Sequence, residues 1–122
     1  MQDLQDFLIL PKSSPNAKPS WFGFPITVKE NAKFTRNQLV EYLEQNKIGT
    51  RLLFGGNLLK QPYMKNQNFK IIGNLKNSDI VMNSTFWIGV YPGLKKEELN
   101  YVLEIFHKFF KKIYTYIMII NY

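Results

Sequence analysis

The chain has 122 residues, 45% of them hydrophobic and 16% aromatic, enough for one compact core and too few for two. It has no cysteine and one histidine, His107, which excludes a disulfide framework, a thiolate-held iron–sulfur cluster and a histidine-based metal site within these residues. The formal charge of +7 raises an anionic partner, but every basic residue except Arg36 and Arg51 is lysine. Because the lysines are scattered and arginine is the usual reader of bases and phosphates, no nucleic-acid partner is expected.

Residues 1–10 carry Asp3 and Asp6 and no basic residue, so they do not form a secretory leader. Leu4, Phe7, Leu8 and Leu10 read as the last turns of an element that starts earlier. Residues 11–20 hold three prolines and three serines and read as a linker. From Trp21 to Val28 the aromatics, and the alternation of Ile26 and Val28 with Thr27, predict a strand. Pro25 places it at a sheet edge, because proline donates no ladder hydrogen bond.

Thr35 followed three residues later by Gln38 predicts a capping box, with Phe34 and Leu39 placed for a hydrophobic staple. Leu39, Val40 and Leu43 give the helix its apolar stripe, and Asn46 and Gly49 end it. Leu52 to Phe54 is a short strand candidate stopped by Gly55 and Gly56. Residues 57–77 form a long polar stretch, more often functional than idle inside a compact domain. Ser78 to Met82 reads as a short helix capped by Ser78, and Thr85 to Tyr91 as a strand ended by Pro92 and Gly93. A final helix is predicted from about Lys95 to about Tyr114. Leu99, Val102, Leu103, Phe106, Phe110 and Ile113 share one of its faces, and Glu97 and Glu98 complement its dipole. The order predicts an α+β domain with a small sheet covered by helices. The apolar run Ile117 to Ile120 is far too short to span a membrane, and a cytoplasmic location is the expectation.

The stretch from Gly49 to Leu59 (GTRLLFGGNLL) is the most informative for chemistry. Two adjacent glycines let a backbone turn sharply or approach a ligand, and the Arg51 guanidinium suits a carboxylate or diphosphate. The alternative, a plain turn with Arg51 paired to a local acid, stays open. The aromatics Trp21, Phe22, Phe24, Phe86, Trp87 and Tyr91 allow a wall against a flat ligand or, more commonly, a core or domain interface. His107 has no carboxylate nearby in sequence and reads as structural. Glu41 and Glu44 read as a solvated helix face. No nucleophile elbow, phosphate loop, dinucleotide glycine pattern or two-histidine motif is present.

Three strings carry a longer resemblance: PSWFGFPITVK (19–29), FTRNQLVEYLEQNKIGTRLLFGGNLLKQPYM (34–64) and MNSTFWIGVYPGL (82–94). Together, over roughly residues 5–106, they resemble the C-terminal region of the CDP-4-keto-6-deoxy-D-glucose 3-dehydrases, in the DegT-like PLP-dependent sugar aminotransferase and dehydrase family. The resemblance implies a fold-type I transferase whose small C-terminal domain closes over a sugar nucleotide held by a large PLP- or PMP-binding domain. It also implies loss of the C3 hydroxyl of a CDP-linked 4-keto-6-deoxyhexose, on the route to the 3,6-dideoxysugars of O-antigen. A homodimer, a [2Fe-2S] cluster and an electron-donating reductase belong to the same implication.

The family's cofactor and catalytic residues precede the matched region, so residues 21–114 are expected to be the small domain alone, without catalysis or bound cofactor of its own. Residues 1–20 are then the end of a preceding element plus linker, and 115–122 a divergent tail. By position, Arg51 is expected to meet a phosphate or sugar oxygen and Asn57 to hydrogen-bond the sugar nucleotide. Phe54 and Tyr63 are expected to wall the pocket. The sequence departs from the family at Lys95, where a capping threonine is usual, and beyond about His107. Residues 109–122 read as a drifted end, with Tyr116 to Ile120 β-prone, and a degraded gene or incomplete gene model accounts for both termini. The alternative is a stand-alone interaction module that pairs with a separately encoded large domain.

Overall fold

In the computed structural model, residues 1–120 are described along the backbone and residues 1–115 with their side chains. The elements in chain order are β1 (Leu8–Ile9), β2 (Gly23–Val28), α1 (Arg36–Gln45), β3 (Thr50–Leu52), α2 (Lys76–Ser84), β4 (Thr85–Gly89) and α3 (Lys96–Ile120). Short 3-10 turns occupy Gln2–Leu4, Leu58–Lys60 and Pro62–Asn66. The four strands form one sheet in the order β1-β2-β4-β3, every neighbour antiparallel. This is the α+β architecture that the element order predicts.

Strand alternation divides the sheet into two faces. Ile26, Val28 and Phe86 point to the helix side, where Leu39 and Leu43 of α1 and Ile105, Phe106, Phe109 and Phe110 of α3 close the core. Pro25, Trp87 and Arg51 stand in one cross-strand row on the other side. Phe34, just before α1, meets Phe109 and Phe110 edge-on at centroid distances of 5.0 and 5.1 Å. The capping box forms as predicted: Gln38 N donates to Thr35 Oγ1, and Thr35 N donates to Gln38 Oε1 at 2.7 Å.

The structure differs from the sequence expectations at identifiable places. Residues 8–9 are a strand, because they pair with Thr27 and Val28; Leu4 and Leu8 are buried in the core. β2 is therefore interior to the sheet, but β1 flanks only its last two residues. Pro25 keeps an open side where no ladder donor is needed. The third strand covers 50–52, since Phe54 has already turned away. α2 begins at Lys76, ahead of Ser78, with Lys76 N donating to Asn74 Oδ1 and Leu75 in the left-handed region. The apolar stripe of α3 centres on Ile105, Phe106, Phe109 and Phe110, and Leu99 is left exposed. At the start of α3, Lys95 N donates to Glu98 Oε2, which is one half of a capping box; Lys95 has no side-chain acceptor to supply the other. No glycine or proline interrupts α3, and its backbone runs on to Ile120. The side chains of the β-prone run Tyr116 to Ile120, and residues 121–122 altogether, lie outside the described residues. Among the described residues no helix is long and apolar enough to cross a membrane.

Candidate functional site

The site is built on the passage from α1 into β3 and the turn that follows. Glu44, near the end of α1, reaches over the loop, and its Oε1 accepts from Thr50 N at 2.6 Å and Thr50 Oγ1 at 2.7 Å. These two bonds hold the Glu44 carboxyl below the usual carboxylate range. Glu44 is thus a clamp on β3, not only a solvated helix position. The clamp fixes the residue before Arg51. Arg51 is exposed beside Trp87 on the helix-free face, and its Nη1 donates to Thr50 O at 2.7 Å.

The turn after β3 is tight. Phe54 N donates to Leu52 O at 2.8 Å and Gly56 N to Leu53 O at 3.3 Å. Phe54 has φ of 50°, a conformation that a bulky side chain adopts rarely and at a cost of about 1–3 kcal/mol. The residue is 80% exposed. Gly56, at φ of 60°, passes directly against Met82 of α2. Asn57 is only 5% exposed; its Oδ1 accepts from Leu59 N, and its Nδ2 donates to Asp79 Oδ1 at 2.8 Å. Lys60 pairs with the same Asp79 oxygen at 2.8 Å. The bonds from Lys60 and then Asn57 hold the Asp79 carboxyl below its ordinary value. Gln61 Nε2 donates to Gly55 O at 2.6 Å. Short polar side chains thus tie the long polar stretch back onto α2.

Two cavities flank the exposed Phe54 ring and share Leu53 and Phe54 as their common wall. The first, about 190 Å³, is apolar and lined by Trp21, Phe22, Gly23, Pro25 and Trp87. The second, about 290 Å³, is lined by Arg36, Leu52, the Gly55–Gly56 backbone, Gln61, Met82 and Asn83. Arg36 is half-buried there, with Nη1 donating to Thr85 O and Nε to Asn37 Oδ1.

Of the residues singled out from sequence, Arg51 and Phe54 stand at this site. Asn57 lies beneath it, with its amide committed to the loop. Tyr63 is exposed on the Pro62–Asn66 turn and lines neither cavity. Arg36 was not singled out: as the first residue of a helix it reads as surface, and only its rarity beside so many lysines marks it. His107 does have a carboxylate, Asp3, at 2.7 Å across the fold and far away in sequence. Among the described residues no group of histidine, cysteine or carboxylate side chains could hold a metal. Among the described residues no lysine lines either cavity.

A family model for the DegT/DnrJ/EryC1/StrS aminotransferases matches residues 1–107. The chain belongs to that family. Among its relatives is the lipopolysaccharide biosynthesis protein RfbH of Salmonella typhimurium, 52% identical over 110 residues, which are 90% of this chain and 25% of RfbH. Another is the dTDP-4-dehydro-2,6-dideoxy-D-glucose 3-dehydratase of Saccharopolyspora spinosa, 49% identical over 86% of this chain and 23% of the relative. Among solved structures, the Escherichia coli GDP-4-keto-6-deoxy-D-mannose-3-dehydratase with bound hydrated PLP superposes with a TM-score of 0.74. It is 25% identical over 85% of this chain and 27% of that one. The fold is therefore that of a small domain in a PLP-dependent DegT-family enzyme. The chain spans about a quarter of the length of the curated relatives it matches.

Proposed function

We propose that this chain is the substrate-closing small domain of a PLP- or PMP-dependent 3-dehydratase acting on a CDP-linked 4-keto-6-deoxyhexose, and that it has no turnover without a large domain. The observation that carries the reading is the match to the lipopolysaccharide biosynthesis protein RfbH and to a dTDP-4-dehydro-2,6-dideoxy-D-glucose 3-dehydratase, over about a quarter of the length of each. Arg51, beside Trp87, faces the phosphates or the sugar, and Phe54 walls the pocket. Asn57 acts through the loop it braces, and Tyr63 stands at the outer end of that loop. The chain has no cysteine, so a [2Fe-2S] cluster in such an enzyme is held elsewhere. A homodimer and an electron-donating reductase complete the assembly.

A groove with an apolar floor and charged rim residues (Lys47, Glu97 and Glu98) supports the need for a partner domain. The groove between the end of β4 and α3, about 620 Å³, is lined by Ile88, Val90, Tyr91 and Leu94, with Tyr91 72% exposed. Patches of this kind mark interaction sites.

The test is reconstitution. The part of Salmonella RfbH that precedes the matched region is coexpressed with this chain, purified, and assayed with PMP, a reductase and CDP-4-keto-6-deoxyglucose. Turnover by the pair and none by either piece is the expected result. Turnover by this chain alone, or a stable pair that never turns over, contradicts the reading; a stable inert pair points to an interaction module instead.

A further inference from the structure

We propose that the loop from Lys65 to Lys76 seats this domain on the surface of an anionic lipid bilayer, with its lysines on the headgroups and Phe69, Ile71 and Ile72 at the acyl boundary. The inference is independent of the dehydratase reading.

The loop stands clear of the domain. Every residue from Lys65 to Asn74 is exposed, and from Gln67 to Leu75 the backbone belongs to no helix or strand. At Gly73, where φ is 77°, nothing lies within 4 Å of the place a Cβ would take. Yet the loop carries Phe69, Ile71 and Ile72, the last 81% exposed, and Tyr63 is exposed on the turn that leads into it. None of the four belongs to the core or packs against it. Three large apolar side chains within four residues, all turned to water, mark a contact surface.

The charge around these side chains identifies the partner. Lysine is scattered along the chain, but acid is not: every acidic residue falls at or before Glu44 or at or after Asp79. Between them stand Lys47, Arg51, Lys60, Lys65, Lys70 and Lys76. Lys60 is spent on Asp79. Lys65, Lys70 and Lys76 are exposed, and among the described residues none of them is in an ion pair. The complementary surface is therefore anionic. A nucleic acid fits poorly, because no arginine lies on the loop and aliphatic side chains do not stack on bases. A bilayer surface takes every group that the loop offers. Anionic headgroups attract the lysines, whose long stems let the ammonium stay in water while apolar neighbours go deeper. The acyl boundary accepts Phe69, Ile71 and Ile72, and the headgroup layer accepts a tyrosine. Docking stops at that depth, because the hydrocarbon core does not tolerate irregular backbone.

The folded chain is sedimented with sucrose-loaded vesicles of phosphatidylglycerol and phosphatidylcholine in equal parts, and with vesicles of phosphatidylcholine alone. Binding to the anionic vesicles that weakens as salt is raised, with little binding to the neutral ones, is the expected result. Each lysine near an anionic surface raises partitioning about fivefold. Lys65→Gln, Lys70→Gln and Lys76→Gln together should therefore lower it about a hundredfold. Lys96→Gln, Lys111→Gln and Lys112→Gln on α3 remove the same charge and should leave most of the binding. Ile71→Ser with Ile72→Ser should lower it about tenfold. All the substituted residues are exposed, so each variant keeps the native circular dichroism. A wild-type chain that stays in solution beside the anionic vesicles overturns the proposal. So does an equal loss from the two lysine triplets, which makes net charge the cause. Binding to a polyglutamate resin but not to vesicles overturns it in favour of an acidic protein partner. Vesicle binding that disappears when the chain is paired with the preceding part of RfbH overturns it in favour of the large domain, and where no pair forms the free chain decides.

Discussion

Gly56 and Met82 approach so closely that a Cβ on Gly56 would lie 2.6 Å from both the Cβ and Cγ of Met82. The Gly56 φ of 60° adds a conformation that L-residues adopt with strain. Gly55, one residue earlier, meets only the ends of two flexible side chains, Leu58 at 3.4 Å and Gln61 at 3.8 Å. Gly56→Ala is therefore expected to lower stability by about 2–4 kcal/mol, strain and overpacking together. Gly55→Ala should stay within about 0.5 kcal/mol of wild type. Urea denaturation of the two variants checks this; equal losses would show that the pair is needed as a pair and not at Gly56 alone.

Asn57 is buried, and both ends of its amide are engaged, one by Leu59 N and one by Asp79. Asn57→Ala leaves the Leu59 amide without its acceptor and is expected to cost about 1–3 kcal/mol. Limited proteolysis should then cut within residues 57–75 sooner than in wild type, while far-ultraviolet circular dichroism stays unchanged. An Asn57→Ala chain as stable and as resistant as wild type would show that water replaces the amide freely.

The legible parts of the fold are those encoded locally. The capping box of Thr35 and Gln38 lies within one turn of chain and is read directly, and the helical period puts Phe106 and Phe110 of α3 in the core, although Ile105 and Phe109 are buried beside them and Leu99 is not. β1 is not legible in this way: Leu8 and Ile9 form a strand only because Thr27 and Val28, far along the chain, offer a partner. α2 starts ahead of Ser78 because Asn74 Oδ1 accepts from Lys76 N just outside the helix, whereas Ser78 already lies within it. The same division holds at the site. The glycine pair announced the turn and drew attention to Arg51 and Phe54. Arg36 reaches the turn through packing of α1 against the sheet, which no local pattern records. Asn57 looked like a ligand donor, but short polar side chains in loops commonly bond their own backbone, as this one does.

Asp3 and His107 join the beginning of the chain to α3 at 2.7 Å. The bond from His107 is the largest cause that lowers the Asp3 carboxyl from 3.8 to about 2. The folded value lies below the unfolded one, so folding favours the carboxylate. The resulting stability is fully present above pH about 4 and is lost as pH falls through about 2. The pair is exposed, and the effect is small. Asp3→Asn should lower the thermal midpoint slightly at pH 5, and the difference should shrink towards pH 2 and vanish below it. A difference that persists unchanged at pH 2 would assign it to packing of the N-terminal turn, not to charge.

Glu44 connects fold and site, because its single oxygen Oε1 holds both the amide and the hydroxyl of Thr50, and Arg51 in turn bonds Thr50 O. Removing the carboxylate frees the start of β3 without touching the residues that line the two cavities. Glu44→Ala should therefore speed hydrogen exchange at the Thr50 amide. The Arg51 side chain should also become more mobile, seen as narrower guanidinium resonances. Glu44→Gln keeps a carbonyl oxygen in the same place and should restore most of the protection, since both partners are donors. The carboxyl sits below its ordinary pKa, so the clamp is engaged above the unfolded value and released as pH falls through the folded one. Thr50 exchange in wild type, corrected for intrinsic rate, should accelerate on acidification, whereas in Glu44→Gln it should not. If both chains respond to acid alike, the clamp is held by the geometry of the loop and not by the charge of Glu44.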